Sequence, residues 1–502
     1  MKLSALLGHS SELLRIIRKS YQPSDFIMSD YFRKKKYIGS SERRFLSELV
    51  YSVLRGYSLF EYCMNNSISK FGNELSEEQI DNELLISVTA TYLFELKSHS
   101  ELVPKSNDDY QWIFRPSQLL KKFIEIDNDN FLQHITEALA EKANISKNSI
   151  EDYFHLIKIT YEELDNQAQK IKENKENITP DDLQVISQRY SLPSWILESW
   201  LNNSFNRMRF DDMCNLSESL LYPAPLTIRV NLSYITREEV IDTFIKNEID
   251  CKACMHSLSG IILKKRTQLN TLDIFKKGLI EVQDEGSQII GYALNPEENE
   301  KILDACAGAG GKTLHIADIQ KNACEIVASD VDYRKLEELI KRAKRSGFNS
   351  IRTQNLSNLE KFSLRSEKGL RFEVFDRVLV DAPCSGLGTV RRMPMQKWRL
   401  TPELLKKHSD KQLKILKYYS QFVKDGGILL YSTCSLMSEE NEEVVDKFLS
   451  QNINFKPYPL EPAFDRFNIE ISGLEKDSYM LRLSPDKYGC DGFFMAKMIR
   501  DD

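Results

Sequence analysis

The sequence predicts an α/β chain with three parts: an all-helical N-terminal region, a small α/β unit, and a C-terminal doubly wound parallel sheet. Three patterns carry that prediction. From about Glu300 to the end, short apolar runs alternate with amphipathic stretches. Near Tyr222-Pro223-Ala224-Pro225 the texture changes from helical to strand-like. Before that point, apolar residues recur at helical spacing. The boundaries expected are 1–205 for the helical region with extra helices, 206–298 for the linker and small α/β subdomain, and 299–502 for the doubly wound domain.

In the first region, Phe45, Leu46, Leu49, Val50, Val53 and Leu54 form one apolar stripe, flanked by Arg33-Lys34-Lys35-Lys36 and Arg43-Arg44. The stretch 165–182 is polar and reads as a solvated helix or loop. In the second region, Leu226–Val230 and Gly260–Leu263 read as strands. Thr236–Asn247 reads as a helix with Val240, Ile241, Phe244 and Ile245 on one face. In the third, Ile302-Leu303, Ile326–Ala328, Val378–Val380 and Ile428–Leu430 are the candidate parallel strands. Thr401-Pro402 supplies an N-cap and an N1 proline for a helix expected to run to Asp425-Gly426-Gly427.

An apolar content of 41% and a charged content of 28% describe an ordinary globular protein, and no apolar run is long enough to cross a bilayer. The N-terminal apolar stretch is too short for a signal peptide, so a cytoplasmic protein with no membrane partner is expected. The nine cysteines are scattered and make no disulfide framework, and Cys251-Lys252-Ala253-Cys254 lacks the second pair of a zinc site; no metal is expected. The net charge is −6, yet residues 1–60 hold 11 Lys and Arg against 5 Asp and Glu. Such a basic segment on an acidic body is compatible with local contact to nucleic acid, or with a solvated helix face.

The first strand of the last domain runs into Asp304-Ala305-Cys306-Ala307-Gly308-Ala309-Gly310-Gly311-Lys312-Thr313. The glycines allow close backbone approach to a ligand. A phosphate-binding Walker loop is excluded, because Cys306 stands where that loop needs its first glycine. The second strand ends in Ser329-Asp330-Val331-Asp332. Asp330 suits a ribose diol, and Asp332 is the better helix cap. Ribose recognition without a phosphate cradle points to an adenosine cofactor such as S-adenosylmethionine.

Two further loops follow apolar strands: Asp381-Ala382-Pro383-Cys384-Ser385-Gly386 and Tyr431-Ser432-Thr433-Cys434-Ser435. Both thiols are expected at the strand C-termini, where open α/β sheets bind ligands. Free cysteine is usually a small buried hydrophobe. Two in polar loops at one rim favour covalent chemistry with two roles. Carbon 5 of a pyrimidine is a poor nucleophile until a thiolate adds to carbon 6. A second group then assists loss of the carbon 5 proton, and an acid such as Asp381, with a raised pKa, would stabilise the adduct at ring nitrogen 3.

With these loops, the chain resembles the Sun/Nop2-type (RsmB-like) RNA cytosine-5 methyltransferases, bacterial 16S ribosomal RNA members above all. Asp304–Thr313, Ser329–Asp332, Val380–Trp398, Leu430–Asn441 and Asp491–Lys497 carry the likeness. It implies a Rossmann-like S-adenosylmethionine-dependent domain, with Cys434 as nucleophile, Cys384 as release cysteine and Asp381 as the carboxylate beside the pyrimidine. It also implies cofactor contacts from Cys306, Ala307, Gly308, Ala309, Gly310, Gly311, Lys312, Asp330 and Asp381, with Lys312 reaching cofactor or a catalytic carboxylate. Upstream, Ser41–Phe60 resembles a NusB-like RNA-binding domain. Two departures stand out: Asn355 where an aspartate usually ends the third strand, and Met395 where the family usually has Asp. The partner implied is RNA, ribosomal before transfer RNA, and not DNA, whose cytosine-5 enzymes leave Thr433-Cys434 without a task. A non-catalytic RNA-binding assembly factor is the remaining alternative. On this reading, neutralising Arg33–Lys36 lowers the salt dependence of RNA binding.

Overall fold

The computed structural model describes the chain except residues 72–80, 99–115, 122–130, 144–145, 176–177, 206, 266, 356–373 and 502. The chain divides into two compact units. One comprises Met1–Pro223 with Val390–Arg399; the other comprises Ala224–Thr389 with Leu400–Asp502.

The first unit is helical among its described residues. The predicted stripe forms helix Ser40–Arg55, and all six of its apolar residues are fully buried. The Glu42 carboxylate accepts the Gly39 N–H (2.6 Å), satisfying a donor at the helix start, and Gly56 ends the helix. Helix Lys147–Glu173 extends through the first part of the polar stretch, and a new helix, Pro180–Tyr190, starts on a Thr179–Asp182 capping box. The segment Val390–Arg399 is built into this unit. Arg55 donates to the Arg391 carbonyl (3.0 Å), Lys397 Nζ donates to the Arg55 carbonyl (2.5 Å), and Met395 joins the core. The Arg399 guanidinium donates to the carbonyls of Ile17 and Ser20 at the end of helix Leu3–Lys19. The basic run is less free than its sequence suggests. Arg33 and Lys34 pair with Asp30, and Lys35 pairs with Glu12.

The second unit opens with an antiparallel sheet of β1 (Leu226–Val230), β2 (Cys251–Ala253), β3 (Gly260–Leu263) and β4 (Ile280–Val282), ordered β2-β3-β1-β4. Helix Arg237–Lys246 starts on a Thr236–Glu239 capping box and buries Val240 and Phe244. Ile245, expected on the same face, is exposed, because five residues from Val240 is about 140° round a helix.

The large sheet contains β5 (Lys301–Asp304), β6 (Glu325–Asp330), β7 (Ile351–Asn355), β8 (Phe375–Asp381), β9 (Val423–Thr433), β10 (Phe455–Pro457), β11 (Met480–Leu483) and β12 (Phe493–Arg500). Its order is β10-β12-β9-β8-β5-β6-β7, with β11 also on β12. The five strands β5 to β9 are parallel, the four predicted ones with β7 added, and β10, β11 and β12 add an antiparallel part. Alternation assigns the faces. Ile302, Ile326, Ala328, Leu379 and Leu430 enter one core, while Leu303, Val327, Val378, Val380, Leu429 and Tyr431 enter the other. Because both faces are covered, the strands read as continuous apolar runs.

The helix starting at Pro402 ends at Ser420, earlier than expected. Asp425-Gly426-Gly427 lies inside β9 instead. Gly426 takes φ +72° there, and the register advances two residues in β8 against five in β9. That irregularity is a bulge, not a helix end. The order of β8, β5 and β6 makes a topological switch beside β5, so the crevice at these C-termini is the ligand position of the fold.

Candidate active site

Four strand ends deliver the predicted residues. After β5, the loop closes on itself through Gly310 N–H to the Ala307 carbonyl (2.9 Å), and Ala307 N–H reaches the Ser329 carbonyl at the end of β6 (2.9 Å). Gly310 takes φ +85°, and a Cβ there would meet Leu339 at 2.5 Å, so glycine is required on two grounds. Gly308 and Gly311 border open space. Thr313 donates to the buried Asp304 (2.6 Å), tying helix Gly311–Ile319 to the strand. Burial pushes the Asp304 carboxyl up to about 7 against that hydrogen bond. Burial, then the charges of Asp381, Asp304 and Asp330, push the Cys306 thiol up, which suits a packed thiol rather than a reactive one.

At the end of β6, Asp330 accepts Gly308 N–H (2.9 Å) on one oxygen and Asp332 N–H (2.8 Å) on the other. Each oxygen keeps a lone pair for a further donor. Asp332 caps helix Tyr333–Arg345 by accepting Arg334 N–H (3.1 Å), as the sequence suggested. Asn355 ends β7; its side chain lies outside the described residues.

Asp381 ends β8 and accepts Lys312 Nζ (2.7 Å) and Ser432 Oγ (2.9 Å). Burial disfavours charge on Lys312, but the Asp381 charge and hydrogen bond outweigh it and hold the ammonium above its usual range, with Cys434 adding. Of the two contacts open to Lys312, the one with the Asp381 carboxylate is present here. Asp381 thus stands in an ion pair with Lys312.

The loops beyond β8 and β9 bring the sulfurs of Cys384 and Cys434 to 3.3 Å, and both residues are half-buried. The hydrogen bond with Cys434 first, then burial and the charges of Cys434 and Glu440, raise the Cys384 thiol well above its ordinary value. The two loops are also zipped through backbone. Gly388 N–H donates to the Cys434 carbonyl (2.9 Å), and Gly492 N–H, just before β12, donates to the Gly388 carbonyl (2.8 Å). Residues that sequence reasoning passed over complete this frame. Asn441 accepts from Thr433 Oγ1 (2.5 Å) and donates to the Ser435 carbonyl (3.0 Å), and the buried Glu440 bonds to both cysteine loops. Its only sequence signal was an acid amid a polar turn.

Comparison with known proteins gives the family. Residues 291–499 match the family described as 16S rRNA methyltransferase RsmB/F, and residues 192–270 match the RsmF/B-like methyltransferase ferredoxin-like domain. A probable ribosomal RNA small subunit methyltransferase B of Bacillus subtilis (strain 168) is 31% identical over 319 residues, covering 63% of this chain and 68% of that protein. The chain belongs to the RsmB/F family of 16S rRNA methyltransferases. A probable ribosomal RNA small subunit methyltransferase B of Synechocystis sp. (strain ATCC 27184 / PCC 6803 / Kazusa) is also 31% identical, over 336 residues, covering 66% of this chain and 71% of that protein. A solved methyltransferase homologue from Pyrococcus horikoshii is 27% identical, covers 64% of this chain and 100% of its own, and has a TM-score of 0.53. As an RsmB/F member, the chain is an RNA methyltransferase that depends on S-adenosylmethionine. Its site fits that cofactor: two glycines border open space beside β5, and a carboxylate with free lone pairs stands at the end of β6. Among the described residues, no helix is long and apolar enough to cross a membrane.

Proposed function

We propose that the chain methylates carbon 5 of a cytidine in small-subunit ribosomal RNA, with Cys434 bonding transiently to the base and Cys384 assisting its release. The observation that carries this reading is the 3.3 Å separation of two half-buried thiols at the ends of adjacent strands. The loop Cys306–Lys312 and Asp330 would hold S-adenosylmethionine, which supplies an electrophilic methyl group when bound.

Cys434 sulfur adds to carbon 6, and the ring electrons move to carbon 5, making it nucleophilic toward that methyl group. The Lys312–Asp381 pair holds a proton at the pocket, available to ring nitrogen 3 as negative charge develops on the adduct. Once the Cys434 sulfur is bonded to carbon, it no longer raises the Cys384 thiol through their shared hydrogen bond. Cys384 then ionises more easily and accepts the carbon 5 proton. The electrons of that C–H bond reform the ring double bond and expel the Cys434 thiolate.

The test is a trapped adduct. With substrate RNA and S-adenosylmethionine, Cys384→Ala should accumulate an RNA–protein complex that survives denaturation, and Cys434→Ala should form none. Absence of the complex in Cys384→Ala protein overturns the role assignment. Bisulfite mapping of 16S RNA from cells with and without the gene tests the target.

A further inference from the structure

Glu440 is fully buried, and among the described residues no lysine or arginine pairs with it. Four donors converge on its carboxylate. One oxygen accepts Ser385 N–H (2.8 Å) and Gln412 Nε2 (3.0 Å); the other accepts Ser385 Oγ (2.5 Å) and Ser435 Oγ. Its own carbonyl accepts the buried Tyr431 hydroxyl (2.6 Å). Ser385 and Ser435 directly follow the two cysteines. One side chain therefore grips the chain one residue beyond each thiol.

We propose that Glu440 is a positioning residue for methyl transfer, whose carboxylate fastens the Cys384 loop to the Cys434 loop and so fixes the distance between the two sulfurs. The proposal rests on the two-thiol reading above, but its geometry stands without it. A buried acid with no cationic partner is costly, and hydrogen bonds from both loops are what offset that cost here. The alternative is a general stabilising role. Two features argue against it: the grip spans 55 residues of sequence between Ser385 and Glu440, and three of its four donors belong to the residues that directly follow the thiols. Glu440 also contributes charge. Together with Cys434 it acts on Cys384, and its negative end favours the protonated thiol.

Two readouts test this without requiring turnover. The first is a thiol ruler: diamide converts the two thiols to a disulfide while its own N=N bond is reduced to a hydrazine, at a rate set by sulfur–sulfur geometry. Full-length wild type should cross-link Cys384 to Cys434 readily, and Glu440→Ala should do so at least about tenfold more slowly while still binding S-adenosylmethionine. In methyl transfer, Glu440→Ala should lose about 10–100-fold in kcat with KM for RNA within about twofold. The second readout is the pH profile of Cys384 alkylation. Glu440→Gln keeps the shape, and its amide can still meet the hydroxyls, so the cross-linking rate should stay near wild type. The alkylation midpoint should move to lower pH because the charge is gone. Wild-type cross-linking in Glu440→Ala, or an unmoved profile in Glu440→Gln, overturns the proposal. Should Glu440→Ala fail to fold, Glu440→Asp replaces it, since one lost methylene cannot span both loops and should slow the ruler. Normal ruler results with no methylation at cytidine would sink the proposed function and leave the positioning role standing.

Discussion

Gly388 gives the sharpest quantitative test of the frame around the two thiols. A Cβ built on it would lie 2.1 Å from the Gly492 carbonyl oxygen and 2.8 Å from the Cys434 carbonyl oxygen. Ordinary contact begins at 3.4 Å, so Gly388→Ala demands a backbone shift of about 1.3 Å, and neither obstacle is the end of a flexible side chain. The shift would stretch two hydrogen bonds, Gly388 to Cys434 and Gly492 to Gly388. At about 0.5–1.5 kcal/mol each, with about 1–3 kcal/mol for overpacking, the cost is roughly 2–6 kcal/mol. In a unit of this size that lowers Tm by roughly 4–24 °C. Because the same shift moves the Cys434 loop, a misplacement of about 1 Å should also cost about 100-fold in methyl transfer. Thermal unfolding and a tritiated-methyl assay on 16S RNA measure both. A Gly388→Ala protein with unchanged Tm and activity within twofold of wild type refutes the argument that these loops are held in contact by the missing side chain.

Two other outcomes follow from geometry described above. Asp330→Ala should weaken S-adenosylmethionine binding at least about tenfold by calorimetry, since it removes both the proposed ribose contact and the anchor of Gly308; unchanged affinity would exclude Asp330 as a ligand. Lys397 is buried, and desolvation with Arg55 nearby lowers its pKa to about 7 from 10.5. The unfolded state therefore binds the extra proton between about pH 7 and 10.5, and stability from this group rises with pH across that window. Wild type should gain stability relative to Lys397→Met as pH is raised from 7 to 9.5 in denaturant titrations; a constant difference would show that Lys397 does not titrate there.

What the sequence revealed of this site was whatever rests on local periodicity or on one strand end. The apolar runs around Leu303, Val327, Val380 and Leu430 announced a sheet buried on both faces. The residues after each run announced the rim, including Asp332 as a helix cap. What stayed hidden depends on partners far along the chain. Glu440 reads as a solvated acid until folding brings Ser385 and Ser435 to it. Lys312 offered two destinations, and its pairing with Asp381 becomes visible only when folding sets that carboxylate across the crevice. Gly426-Gly427 carries the signature of a helix end, yet a bulge uses the same backbone freedom. β10 and β11 are three and four residues long, too short for a pattern to stand out, and no local pattern announces that β12 runs antiparallel between β9 and β10. Lys35 looks like part of a free basic cluster because Glu12, its partner, lies 23 residues away.

The ten residues from Val390 to Arg399 carry a lesson for anyone dissecting this chain. They are encoded between the two cysteines but supply Met395, Lys397 and Arg399 to the helical unit. A fragment cut after Pro223 would therefore lack a strip of its own interior, leaving the Arg55 carbonyl and the end of the first helix without the Lys397 and Arg399 donors. The helical half of the polypeptide is not a separable cassette, and an insoluble 1–223 product would report a missing piece rather than an intrinsically unstable fold.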